Sequence, residues 1–123
     1  MGIFLLIAQL SMSSTPLVVI DPGHGGEQDG AVGVCGIKEK DVVLSISQKA
    51  AALINQTGTI KAKLTRSLDH DIPLADRPEI ANKLKASLFV SVHANSSPSP
   101  KSRGVETFFL SRTASDKYAL ALA

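Results

Sequence analysis

The chain has 123 residues, of which 44% are hydrophobic, and its 13 Lys and Arg against 11 Asp and Glu give a formal net charge of +2. A chain of this length and apolar content can bury one core, so we expect one domain or part of one, not two. The basic residues are scattered, with no stripe of interleaved aromatics, and the sequence therefore argues against nucleic-acid binding.

The amino-terminal segment is the first unusual stretch. Residues 1–10 are almost entirely apolar, and the small, mostly polar run 11–14 follows them. This resembles the apolar core of a secretory signal, although no Lys or Arg precedes it and it is too short to span a bilayer. Residues 1–16 are therefore either a leader or export remnant, or an ordinary buried strand or helix. No other segment approaches the length of a membrane span, so we predict none.

The first half of the remaining chain predicts a strand, a long loop and a helix. Leu17–Ile20 is a continuous apolar run, typical of an inner strand covered on both faces. The stretch 21–38 contains six of the nine glycines and reads as one loop, in which the only cysteine, Cys35, is a loop or packing residue. Apolar residues then recur at helical spacing from Glu39 to Gln56.

The second half predicts three strands and two helices. We expect strands at Ile60–Leu64, Leu88–His93 and Gly104–Leu110, and helices at Leu74–Lys85 and Ser115–Ala123, the former with Asp76 as cap and Pro78 in its first turn. The alternation of strands and helices predicts an α/β domain with a mostly parallel central sheet and helices on both faces.

Two histidines fall where such a fold binds ligands. His24 and His93 each follow a predicted strand, and parallel sheets place ligands beyond the carboxyl ends of their strands. Catalytic zinc sites use three protein ligands, commonly imidazoles and a carboxylate, and Glu39 could supply the third. The spacing alone does not decide this, because an acidic residue at a helix start also suits the helix dipole. His70, between two aspartates, is more typical of a solvated loop.

Several runs, taken together and in order, resemble the zinc-dependent N-acetylmuramoyl-L-alanine amidases that hydrolyse peptidoglycan. The resemblance covers about residues 17–123. By matched position it implies that His24, Glu39 and His93 bind Zn²⁺. The runs are Val19-Ile20-Asp21-Pro22-Gly23-His24-Gly25-Gly26, Gly36-Ile37-Lys38-Glu39-Lys40-Asp41, Leu64-Thr65-Arg66, Leu74-Ala75-Asp76-Arg77, Ala81-Asn82-Lys83, Leu88-Phe89-Val90-Ser91-Val92-His93-Ala94-Asn95 and Arg103-Gly104-Val105-Glu106.

The resemblance implies hydrolysis of the amide between N-acetylmuramic acid and the L-alanine of the stem peptide, as in cell separation or wall turnover. It further implies a peptidoglycan or muropeptide substrate, a regulatory protein activator, and a location in the periplasm or cell envelope, or outside the cell. Asp21, Ser91 and Asn95 lie close to the histidines in sequence, and each either orients an imidazole or caps a turn and fixes a loop.

One element of the family pattern has no match here. The family's catalytic glutamate lies in a Val-Glu motif past the second histidine, and the chain ends at Ala123 before such a motif. Glu106 is the nearest carboxylate in a family run, and we interpret it as structural or substrate-lining. We therefore expect no catalytic base in this chain, a sheet that is incomplete at its carboxyl-terminal end, and an exposed apolar sheet face or edge. The alternative to an amidase is a non-catalytic wall-binding fragment that keeps the zinc site.

Overall fold

A computed structural model describes residues 14–99 and 101–109. The strands are β1 (Leu17–Pro22), β2 (Lys61–Leu64) and β3 (Leu88–Val92), and the helices are α1 (Glu39–Gln56) and α2 (Asp76–Lys83). A short 3₁₀ turn at Val34–Gly36 lies within the glycine-rich loop. The predicted strand–helix alternation is confirmed for these elements, with bounds that differ by at most two residues.

The three strands form one parallel sheet in the order β2-β1-β3. On one face, Ile20 of β1 packs with Ala51 of α1 and Ala62 of β2. The next residue of β1, Asp21, faces the other side, where it pairs with Arg77 of α2. Helices therefore cover both faces of the central strand, and the predicted α/β class is confirmed.

Two predictions of local structure are wrong. The described part of the predicted strand Gly104–Leu110, residues 104–109, has no strand pairing and is exposed. A strand needs a neighbour for its N–H and C=O groups, and apolar β-type composition cannot supply one. In addition, Asp76 is the first residue of α2 and not its cap, since the cap position is Ala75 and no side chain bonds there. Pro78 does lie in the first turn, as expected.

Other predictions fall on residues outside the described ranges. These are most of the amino-terminal segment, residues 1–13, and the carboxyl-terminal helix at Ser115–Ala123. Within the described ranges, no helix combines the length and the apolar character that crossing a bilayer requires.

The outer strand β3 carries the exposed apolar surface that was expected. Leu88 is 55% exposed, Phe89 37% and Val90 38%, whereas Val19 of the central strand is fully buried. The core of the described residues is thus centred between β1, β2 and α1.

Candidate metal centre

His24 leaves the sheet at the end of β1 through an unusual turn. Its own φ is +59°, a left-handed conformation that non-glycine residues seldom adopt. The following Gly25 and Gly26 also have positive φ, which glycine tolerates without a steric penalty. This turn brings the ring back toward the start of α1.

Glu39 is the first residue of α1 and supplies a fixed carboxylate. Its side chain is only 4% exposed. The backbone N–H of Ala31 donates to Oε2 and that of Ala94 donates to Oε1, both at 2.8 Å. The carboxylate is therefore tied both to the glycine-rich loop and to the segment that follows β3.

The structure brings His24, Glu39 and His93 together. His24 Nε2 lies 3.2 Å from Glu39 Oε2, and His93 Nδ1 lies 3.0 Å from Glu39 Oε1. The two rings are perpendicular, with centroids 5.0 Å apart. Each residue offers one ligand atom, and these atoms all lie within 4.8 Å of one another.

Two glycines leave space for this cluster. A Cβ on Gly23 would overlap the His93 ring. A Cβ on Gly30 would lie 2.7 Å from both Glu39 Oε2 and His24 Cδ2.

The donor set consists of two imidazoles and one carboxylate, which are the ligands typical of a catalytic zinc site. The bond lengths of such a site separate tetrahedral ligands by roughly 3.3 Å. The residues present therefore fit a zinc ion.

The electrostatics keep Glu39 ionised. Burial raises the pKa of its carboxyl, but the backbone hydrogen bonds from Ala31 and Ala94, the contact with the His93 ring and the charge of His24 outweigh burial and hold the pKa below its usual range. A carboxylate that stays negative is ready to bind a cation at neutral pH.

The remaining candidate residues have other surroundings. Asp21 is 2% exposed, and its carboxylate accepts hydrogen bonds from Thr65, Arg77 and Ser91 instead of from an imidazole. Asn95 and Glu106 are exposed, and neither belongs to the donor cluster. Among the described residues, the cluster contains no second carboxylate that could act as a base.

Sequence reasoning assigned no role to three buried cations around the site. Lys40 contacts Asp29 at 3.1 Å and Asp69 at 3.0 Å, which joins the glycine-rich loop to the loop after β2. Arg66 is 1% exposed and Arg77 is 5% exposed. The place of Arg66 in the sequence could have indicated that it lies near the site, because it follows β2 almost directly and therefore lies at the same sheet edge as the histidines.

Fold and site together define a class, that of α/β domains with a His–Glu–His cluster at the carboxyl edge of a parallel sheet. Comparison with known proteins assigns this domain to one family. The model of the N-acetylmuramoyl-L-alanine amidase family Amidase_3 matches residues 18–123, and the chain belongs to this family.

Individual relatives agree with this assignment. The N-acetylmuramoyl-L-alanine amidase AmiA of Escherichia coli (strain K12) is 50% identical over 95 residues, which are 77% of this chain and 32% of AmiA. The solved structure of AmiC2 of Nostoc punctiforme is 49% identical with a TM-score of 0.65, over 70% of this chain and 47% of that one.

A third relative was solved with a partner. The CwlD amidase from Clostridioides difficile, in complex with the GerS lipoprotein, is 30% identical with a TM-score of 0.65, over 71% of this chain and 52% of that one. The chain thus spans about a third of the length of AmiA and about half the length of the solved relatives.

Proposed function

We propose that this chain provides the metal-binding part of a zinc-dependent N-acetylmuramoyl-L-alanine amidase, which hydrolyses the amide between N-acetylmuramic acid and L-alanine in peptidoglycan. The observation that supports it best is the convergence of His24, Glu39 and His93, whose ligand atoms lie within 4.8 Å of one another. The relatives AmiA and AmiC2 are N-acetylmuramoyl-L-alanine amidases, which supports this substrate.

The site suits hydrolysis of an unreactive bond in a large polymer. When bound, zinc lowers the pKa of a water molecule and polarises the scissile carbonyl. Glu39 contributes a buried carboxylate, and His24 and His93 contribute imidazole nitrogens from the ends of β1 and β3. The side chains of His24 and His93 are 27% and 43% exposed, so a glycopeptide strand can reach the site from solvent.

Metal binding is tested by titrating the chain with zinc against a chromophoric chelator. We expect one zinc per chain. His24→Ala, Glu39→Gln and His93→Ala should each lose most of this affinity, since each removes one of three ligands. The third histidine, His70, is exposed and outside the cluster, so His70→Ala is the matched control and should bind as the unmodified chain does. Equal affinity in all four variants would refute the proposed site.

A second function, wall binding without hydrolysis, is favoured by one observation. The described residues place no further carboxylate in the donor cluster, and amide hydrolysis needs a general base beside the nucleophile. Incubation of the chain with purified peptidoglycan separates the two functions. Release of stem peptides with a free L-alanine amino group, stopped by a chelator, supports the amidase. Sedimentation with the wall without such release supports the wall-binding fragment.

The proposed substrate sets the proposed location and partners. Peptidoglycan places the protein in the periplasm or cell envelope, or outside the cell. We also propose a regulatory protein partner, by analogy with the complex of the CwlD amidase and the GerS lipoprotein. Hydrolysis of peptidoglycan that rises on addition of an envelope protein would support this, and the same rise with a His93→Ala variant would contradict it.

A further inference from the structure

Arg66 is a buried cation whose partners are carbonyl groups. Its Nε donates to the carbonyl oxygen of Pro22 at 3.1 Å, and its Nη2 donates to those of Gly23 at 2.8 Å and Lys40 at 3.0 Å. Gly23 precedes His24, and Lys40 follows Glu39. One guanidinium thus joins the backbone beside one proposed ligand to the backbone beside another.

Arg77, in α2, donates hydrogen bonds to the same turn at the end of β1. Its Nη1 donates to the carbonyl of Pro22 at 3.0 Å and its Nη2 to that of His24 at 2.9 Å. The Nη1 group also contacts Asp21 Oδ1 at 3.0 Å. The two arginines therefore bind three consecutive carbonyls, those of residues 22–24.

Between them, the two buried guanidiniums have a single hydrogen-bonded carboxylate among the described residues. The one carboxylate hydrogen-bonded to either guanidinium among the described residues is that of Asp21, which also accepts a hydrogen bond from Ser91 of β3 at 3.0 Å. A buried charge costs free energy unless it is paired and hydrogen-bonded. An apolar side chain would fill the space without that cost, but it could not bind carbonyls. The planar, five-donor guanidinium can bind several at fixed angles.

The backbone conformation of His24 explains why its neighbouring carbonyls need to be held by the two arginines. With φ at +59°, the residue is held in a region that non-glycine residues rarely adopt, and such conformations persist only where the surroundings enforce them. We propose that Arg66 and Arg77 are positioning residues for the metal site, which hold the carbonyls of residues 22–24 so that the His24 ring faces Glu39 and His93. This deepens the proposed function, because it names the groups that preorganise its proposed ligands.

Zinc affinity is the first readout, measured for Arg66→Lys and Arg77→Lys by chelator competition. Lysine keeps the charge but cannot bind several carbonyls at fixed angles, so affinity should fall about 10–100-fold, as it does for other groups that orient ligands. Asn55→Ala is the control for lost stability. The Asn55 amide bonds Ala62 at the other end of α1 from Glu39, so this variant should lose stability yet keep its zinc affinity.

A metal-free readout is the nuclear Overhauser contact between the perpendicular rings of His24 and His93, whose centroids are 5.0 Å apart. We expect the contact in the unmodified chain and in Asn55→Ala, and its loss in both arginine variants. Ser91→Ala removes only one hydrogen bond to Asp21 and should weaken zinc binding in the same direction by a smaller factor, which keeps the test open if an arginine variant does not fold.

The outcomes separate this inference from the proposed function. If the arginine and Ser91 variants keep both the ring contact and the zinc affinity, the arginines are purely structural and the inference is wrong. If the unmodified chain shows the ring contact but binds no zinc, the proposed metal function fails, and loss of the contact in the arginine variants still supports their positioning role.

Discussion

Gly30→Ala is the sharpest test of how tightly the donor cluster is packed. Gly30 has φ +70°, and an added Cβ would lie 2.7 Å from Glu39 Oε2 and from His24 Cδ2. Gly36, in the same loop, has φ +75°, and a Cβ there would meet no atom of the described residues within 4 Å beyond its chain neighbours. Gly36→Ala is therefore a matched control that carries the conformational cost alone.

The magnitudes differ accordingly. Holding alanine in the left-handed backbone conformation costs about 1–2 kcal/mol, so the free energy of unfolding should fall by this amount in both variants. Overpacking at Gly30 adds about 1–3 kcal/mol, because Glu39 or His24 must move. That movement should lower zinc affinity about 10–100-fold in Gly30→Ala, whereas Gly36→Ala should keep the affinity of the unmodified chain. Urea unfolding without metal gives the stabilities, and chelator competition gives the affinities.

One outcome of comparing these two variants would contradict the proposed packing of the donor cluster. If Gly30→Ala and Gly36→Ala bind zinc equally well, the space left by Gly30 does not serve the cluster. The geometry of the proposed metal site would then be wrong, even if both variants lose stability.

Three further predictions concern stability. The hydrogen bond from Lys40 lowers the pKa of Asp69, so this carboxylate stabilises the fold above its ordinary pKa of 3.8, and the stabilisation is lost as pH falls through its lower folded value. Asp69→Asn should therefore lower the thermal midpoint at pH 7, and a difference that does not shrink as the pH is lowered below 3.8 would contradict this. Asn55 exchanges two hydrogen bonds with the backbone of Ala62 in β2, at 2.8 and 3.2 Å, and Asn55→Ala should cost about 1–3 kcal/mol in urea unfolding, while no loss would show that water replaces the amide. Ser47 is fully buried and its Oγ has no hydrogen-bond partner among the described residues, so Ser47→Ala should leave stability unchanged or raise it by up to about 2 kcal/mol, and a clear loss would reveal a partner for the hydroxyl.

Periodicity and glycine placement predicted the parts of the fold that are locally determined. The helix Glu39–Gln56 has the predicted bounds, because apolar spacing and the stop signals at Asn55 and Gly58 agree with one another. The failure at Gly104–Leu110 is equally informative. Residues 104–109 have strand-like composition but no pairing partner, and pairing is a property of the whole sheet.

Parallel topology, which brings the ends of β1 and β3 to one edge, made His24 and His93 candidates, whereas Glu39 was assigned as the third ligand by the family resemblance. The structure brings His24, Glu39 and His93 together there, and their binding of zinc stays a prediction. The arginines could not be assigned a role in this way. Arg66 is buried against carbonyls from the end of β1 and from α1, and backbone acceptors leave no mark in the sequence pattern.

The donor cluster also closes the chain on itself. His24 lies in the loop before α1, and Glu39 and His93 are 54 residues apart in the sequence. An ion shared by these side chains would act as a reversible cross-link in a chain whose single cysteine cannot form an internal one. At a free zinc concentration 100 times the dissociation constant, such a cross-link adds about 2.7 kcal/mol to the folded state. The concentration of free zinc around the protein would then set the stability of the fold as well as the occupancy of the site.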